Sequence, residues 1–239
     1  AVVMAICGFF LERPGKDFAP PAAASVKKKY VNPVAMEAGT GEMLKKPAFW
    51  LYYLWAILLS AAGLALVSQA SAIAKEVGPT VSIGTITTVV GLISISNGIG
   101  RVILGGLFDK VGRSGTMQTV NVLFVVTGIV LIAALKMQSF PVLVAGFIIG
   151  GLAYGGVTPA NAAFVSSYYG LKHYSLNLSV VVTNLLFASF GSTIAGALYD
   201  ATGSYLSTDA MILVLAVLSA AVSFGIDLCD RRMLKKRGR

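Results

Sequence analysis

A single arginine, Arg101, interrupts a long apolar stretch, between Asn97-Gly98-Ile99-Gly100 and Val102-Ile103-Leu104-Gly105. A guanidinium stays charged in any protein setting and presents a planar fork of donors that matches a carboxylate. Asn97 lies four residues earlier, on the same face of a helix, placed to orient Arg101 or to share its ligand. In a later apolar stretch Tyr154, Thr158 and Asn161 share a helical face, and Tyr154 is a candidate for the wall of a polar cavity. This chemistry is that of binding an anion. A structural role for Arg101, tied to backbone carbonyls or to the loop that follows, is the alternative. No His/Glu cluster, Ser-His-Asp set or phosphate loop is legible in the chain, so neither an enzyme nor a metal or other cofactor is expected.

The elements that must position Arg101 are membrane spans. Of 239 residues, 56% are hydrophobic and only 12% charged, against about 25% charged in ordinary soluble domains. The charges collect in short segments between apolar runs of about 20 residues or more, the length that crosses about 30 Å of hydrocarbon. In lipid every backbone polar group needs an internal partner, so such runs are helices. The expected class is an all-α, polytopic membrane protein. Its spans fall at roughly 48–74, 81–108, 116–135, 140–165, 174–200 and 208–229. Arg101 lies eight residues before Asp109 and therefore about 12 Å into the second of these. An arginine at a helix centre costs about 2.5–3.5 kcal/mol on insertion scales, and side chains lean toward the helix N-terminus, away from the nearer interface.

Residues 1–10 are apolar but too short to span, and no basic segment precedes them; they read as the end of a truncated helix, and the chain as a fragment. Residues 11–47 read as a polar linker, with five prolines, the run Lys27-Lys28-Lys29, and Lys45-Lys46. Residues 230–239 form a basic tail. Alternating spans put 16 of the 19 Lys and Arg residues on one side, Lys75 and Lys136 on the other, and Arg101 between. By the positive-inside rule the linker and C-terminus are cytoplasmic, in a plasma (inner) membrane. The net charge of +9 is thus a sign of topology and of contact with membrane lipid, not of nucleic-acid binding. Cys7 and Cys229 suggest neither a disulfide framework nor a metal site.

Gly84, Gly91, Gly98 and Gly105 recur every seven residues, and Gly146, Gly150, Gly151, Gly155 and Gly156 crowd a later span. Both sets are expected to mediate close helix packing, which in lipid falls to small residues. The second span runs into Gly105-Gly106-Leu107-Phe108-Asp109-Lys110-Val111-Gly112-Arg113. Gly105 would admit a neighbouring helix, Asp109 would stand just past the helix end, and Gly112 would make a tight turn. Lys110 and Arg113 would anchor the loop at the cytoplasmic face.

That loop, G-x-x-x-D-K-x-G-R after the second of six spans, resembles the signature of the major facilitator superfamily. The resemblance implies a six-helix C-terminal bundle preceded by the end of the sixth helix and the central loop, with an N-terminal half as the missing partner, and a loop that holds one conformation. Asn97-Gly98-Ile99-Gly100-Arg101 and Ile194-Ala195-Gly196-Ala197-Leu198-Tyr199-Asp200 look like the oxalate/formate antiporter and monocarboxylate porter branches. There the matching arginine binds the anionic substrate. Oxalate-carrying relatives add a lysine in the penultimate helix; here Leu185 stands at that place, beside Asn184. One cation with polar neighbours, Arg101, Asn97, Tyr154 and Asn184, implies a monocarboxylate carried by alternating access. A drug or sugar porter with a structural Arg101, and a scaffold that transports nothing, are the competing readings.

Overall fold

The computed structural model describes residues 35–237. The expected helix end at 1–10, the first part of the linker with Lys27-Lys28-Lys29, and the last two residues lie outside the described residues. Eight helices follow in order: α1 (Thr40–Leu44), α2 (Pro47–Val77), α3 (Ile83–Met137), α4 (Phe140–Tyr169), α5 (Tyr174–Val182), α6 (Asn184–Ala188), α7 (Phe190–Thr202) and α8 (Leu206–Arg237). There is no strand among the described residues.

Five stretches are long and apolar enough to cross a membrane: α2, α3, α4, α5–α7 taken together, and α8. Six spans were expected, and α3 accounts for the difference. Its 55 residues would make a rod of about 80 Å, far more than the bilayer holds. The helix reverses at Gly112, whose φ of 72° and ψ of −168° lie in a region essentially closed to other residues. Contacts with α4 establish the reversal. On the first arm of α3, before Gly112, Ile93 meets Gly151, Arg101 meets Gly155 and Gly105 meets Pro159, a parallel register. On the second arm, Val120 meets Gly156, Thr127 meets Gly150 and Leu131 meets Gly146, an antiparallel register. The two arms are therefore antiparallel to each other, and α4 packs against both.

The remaining connections follow the same economy. Ser82 caps α3, accepting from the Thr85 N–H at 3.2 Å. Gln138, in the left-handed region, and Ser139 join α3 to α4 in two residues. Gly203, also left-handed, ends α7. Thr183 and Ser189, which separate α5, α6 and α7, keep right-handed helical angles, so 174–202 crosses as one interrupted rod. The basic tail is a continuation of α8. The end of the linker is docked rather than free: the Met36 and Ala38 N–H groups donate to the Tyr168 and Tyr169 carbonyls at 2.9 and 3.2 Å. Those carbonyls end α4 and would otherwise lack partners. Asn177 clasps the same strap, donating to the Ala38 carbonyl and accepting from Thr40.

Helix α2 packs on all the other long helices and carries Tyr52, Trp55, Leu59 and Leu66, all fully buried. Its polar groups are matched across the bundle. Trp55 donates to Asn121 at 2.8 Å, Asn121 donates to Ser223 and accepts from Ser219, and Tyr52 donates to Asn161. Asn161, expected on the same polar face as Tyr154, is thus engaged in the core.

The glycines divide. A Cβ on Gly151 would lie 2.5 Å from the Ile93 carbonyl oxygen, and one on Gly100 2.9 Å from the Leu152 Cα; the α4 set packs as expected. The heptad set does not. Among the described residues Gly91 and Gly98 have nothing within 4 Å of a Cβ, and Gly105 reaches only ordinary contact with Pro159. The stripe points out of the described bundle because it is the off-stripe Gly100 that meets α4.

Two substitutions check this division. Gly112→Ala should cost about 1–3 kcal/mol, the price of a non-glycine residue in that region. Gly98→Ala should be neutral or stabilising by up to about 1 kcal/mol, the helix-propensity gain. Unfolding of the purified protein in detergent measures both.

Candidate functional site

Close backbone approach builds the first candidate site. Gly100, Gly151 and Gly155 let the first arm of α3 and α4 touch main chain to main chain; a Cβ on Gly155 would sit 3.0 Å from the Arg101 nitrogen. Tyr154, next in sequence, stands within electrostatic reach of the Arg101 guanidinium. Its ring also lies against Gly63 of α2, where a Cβ would collide with it. Asn97, partly buried, is one turn up from Arg101. Arg101 and Tyr154 therefore stand near each other where the first arm, α4 and α2 adjoin, and the Asn97 carbonyl packs on Gly155. Arg101 is exposed, among the exposed Ile95, Ile99, Val102 and Ile103. No carboxylate pairs with it among the described residues.

Asn184 is not in this group. It follows Thr183, whose hydroxyl bonds that of Tyr53 at 2.7 Å, whereas Tyr154 lies at Gly63. Ten residues of α2 separate those levels, roughly 15 Å along the axis. Asn184 is nonetheless unusual: it is fully buried, and neither its amide nitrogen nor its oxygen has a partner among the described residues. A buried polar group without a hydrogen bond costs about 1–3 kcal/mol, so this side chain is available for one. Leu185 beside it is exposed.

The loop motif makes the second site. Asp109 and Lys110 are exposed. Arg113, expected with Lys110 to anchor the loop, is turned inward and only 3% exposed. It pairs with Asp227 and, at 3.0 Å, with Asp230, both on α8. Its Nε donates to the Tyr168 hydroxyl at 2.6 Å, its Nη1 meets the Met117 sulfur at 3.3 Å, and Tyr168 in turn donates to Asp230. Ser114 donates to the second Asp227 oxygen at 2.9 Å. One side chain thus ties the reversal in α3 to the ends of α4 and α8. Gly112 makes this possible, since its ψ turns the next residue back under the bundle. Sequence reasoning did not pick out Tyr168, Asp227 and Asp230 as these partners. The only trace is two acids three residues apart, and Arg231 and Arg232 beside them offer an easier pairing.

Lys45, Lys46, Lys110, Arg113, Lys172, Arg231, Arg232 and Lys235 gather at this end of the bundle; Lys75 and Lys136 are at the other. Five stretches long and apolar enough to cross a membrane, one of them folded back on itself at Gly112, with charge sorted to the ends of the bundle, define an integral, multi-pass membrane protein. The chain belongs to the major facilitator superfamily, whose model matches residues 70–229. It is 26% identical over 201 residues to the oxalate:formate antiporter of Oxalobacter formigenes, covering 81% of this chain and 45% of that protein. It is likewise 26% identical over 141 residues to the uncharacterized MFS-type transporter YhjX of Escherichia coli K12, covering 59% of this chain and 34% of that one. The chain thus spans less than half the length of either relative.

Removing Arg113 would leave two carboxylates facing each other without their cation. Arg113→Ala should lower stability by about 3–5 kcal/mol, as for breaking a buried pair. The Arg113→Ala/Asp227→Ala double variant should lose less than the sum of the two single variants. Thermal unfolding of the four proteins in a double-mutant cycle gives the coupling.

Proposed function

We propose that the protein carries a small organic anion, a monocarboxylate, across the membrane by exchange and alternating access, with Arg101 as the substrate's counter-ion. The observation that supports this most is the exposed Arg101 guanidinium. It stands about 12 Å from Asp109 along its helix, on a face of apolar residues, with no described carboxylate to neutralise it. Hydrocarbon does not tolerate such a charge facing it, so the face is suited to a wet cavity. There the guanidinium fork meets a carboxylate, and Asn97 and Tyr154 add polar contacts from two helices. Kinship with an oxalate:formate antiporter favours an anion. A single cation, with Leu185 apolar, favours one carboxylate over two. Asn184, with its unused amide, would meet substrate only at another level of the pathway.

In this reading the basic end of the bundle is cytoplasmic, in keeping with the positive-inside rule, and the membrane is the plasma (inner) membrane. The Arg113 ties would hold the helix ends together in one state and release them in the other. The exposed face of the first arm, with its outward glycines, would be completed by an N-terminal half of the same superfamily fold.

Uptake of labelled formate and labelled oxalate by the full-length protein in liposomes tests the proposal. Arg101→Ala should lower formate exchange roughly 10- to 100-fold, the worth of a lost charge-assisted hydrogen bond. Arg101→Lys, which keeps the charge but loses the fork, should fall between. Unchanged exchange in Arg101→Ala would overturn the assignment of the site, and oxalate preferred over formate would overturn that of the substrate.

A further inference from the structure

At the end of the bundle opposite Arg113, a second acidic pair makes no ion pair with a cation among the described residues. Asp209, in the first turn of α8, is 0% exposed, and neither of its carboxylate oxygens has a hydrogen-bond partner among the described residues. Its charged neighbour is Glu76, near the end of α2. Glu76 is fully engaged: one oxygen accepts from the Ser204 hydroxyl at 2.6 Å and the other from the Tyr205 N–H at 2.8 Å. It therefore has donors to support a charge, and Asp209 has none.

The groups around Asp209 offer no alternative partner. From α2, Lys75 is exposed and makes no ion pair among the described residues. From the second arm of α3, Lys136 is likewise exposed and unpaired among them. From α7 and the turn after it come Tyr199, Asp200 and Tyr205; Asp200 and Glu76 both lie within electrostatic reach of the Tyr205 hydroxyl, and neither tyrosine is a cation. The neighbouring Thr208 hydroxyl donates to the Ala195 carbonyl at 3.2 Å. The N-terminus of α8 favours an anion, but the Asp209 N–H is already bonded to the Tyr205 carbonyl. The dipole that remains offsets only a small part of the cost of burying a bare carboxylate.

We propose that Asp209 and Glu76 form a proton-binding site: Asp209 takes a proton from solution and holds it as a neutral carboxylic acid in the packed bundle, with Glu76 as the anionic neighbour that keeps it there. Binding is a plain protonation, carboxylate plus proton giving the acid, and needs no other reactant. The site joins the end of α2, the α7–α8 turn and the start of α8. Loss of the proton places two like charges in that joint with a cation on neither, so the joint loosens as pH rises. The inference rests on these contacts alone and is independent of what the protein carries.

The intact protein in lipid nanodiscs, melted across a pH series, tests this. The neutral form is the one that packs, so stability is full at low pH and falls as pH rises through the site's titration. Asp209→Asn, neutral at every pH and nearly isosteric, should remove that fall and melt no lower than wild type at high pH. Glu76→Gln takes away the like charge and should move the transition to lower pH. The pH-difference infrared spectrum of the wild type should lose a protonated-carboxyl carbonyl band that is absent in Asp209→Asn. Equal pH dependence in wild type and Asp209→Asn, or a carbonyl band unaltered by that substitution, would overturn the proton site. An unmoved transition in Glu76→Gln would overturn the role of its neighbour.

Discussion

The bundle depends on how closely two backbones can approach. Gly100 on the first arm of α3 and Gly151 and Gly155 on α4 bring main chain against main chain. In lipid no hydrophobic drive pulls helices together, so dispersion and shape do the work and small residues mark where it is done. The same approach has a chemical consequence. Arg101 and Tyr154 are each next to one of these glycines, so the contact that joins the helices also sets the cation beside the phenol. Gly63 extends the arrangement to α2 by making room for the Tyr154 ring.

A second constraint acts at the end of the helices. The reversal at Gly112 and the inward turn of Arg113 are one feature: the glycine's backbone angles are what allow the next side chain to reach Asp227, Asp230 and Tyr168. Three helix ends thereby share one cation. At the opposite end no described cation pairs with the acids, and of Glu76 and Asp209 only Glu76 is supported by described donors. The two ends therefore differ in kind. One is held by opposite charges, the other by the absence of charge on a buried acid.

Much of the fold was legible, and the exceptions are informative. Each expected span falls on helix, the fifth on the interrupted rod α5–α7, with α8 running on to Arg237, and the second and third are parted only by Gly112, where the chain turns back. The α4 glycines pack as expected. The heptad glycines do not, because a seven-residue period tells only that small residues share a stripe. It does not tell which stripe faces a neighbour. Arg101 and Tyr154 stand near each other, with Asn97 one turn away on the same helix, while Asn184 lies at another level of α2. Asn161 shares a helical face with Tyr154 by spacing, and the Tyr52 hydroxyl engages it in the core.

Sequence by itself determined what depends on solvent preference summed along the chain: which segments enter hydrocarbon, where they stop, which ends collect positive charge, and that Arg101 sits alone at depth. These follow from a transfer energy that each residue carries wherever it is. Only the tertiary structure decided which faces meet. A helix in lipid is apolar all round, so periodicity does not separate its packed side from its open one. That choice turned Arg113 inward to two aspartates, left the Asn184 amide without a partner, and enclosed Asp209 with no donor to support its charge.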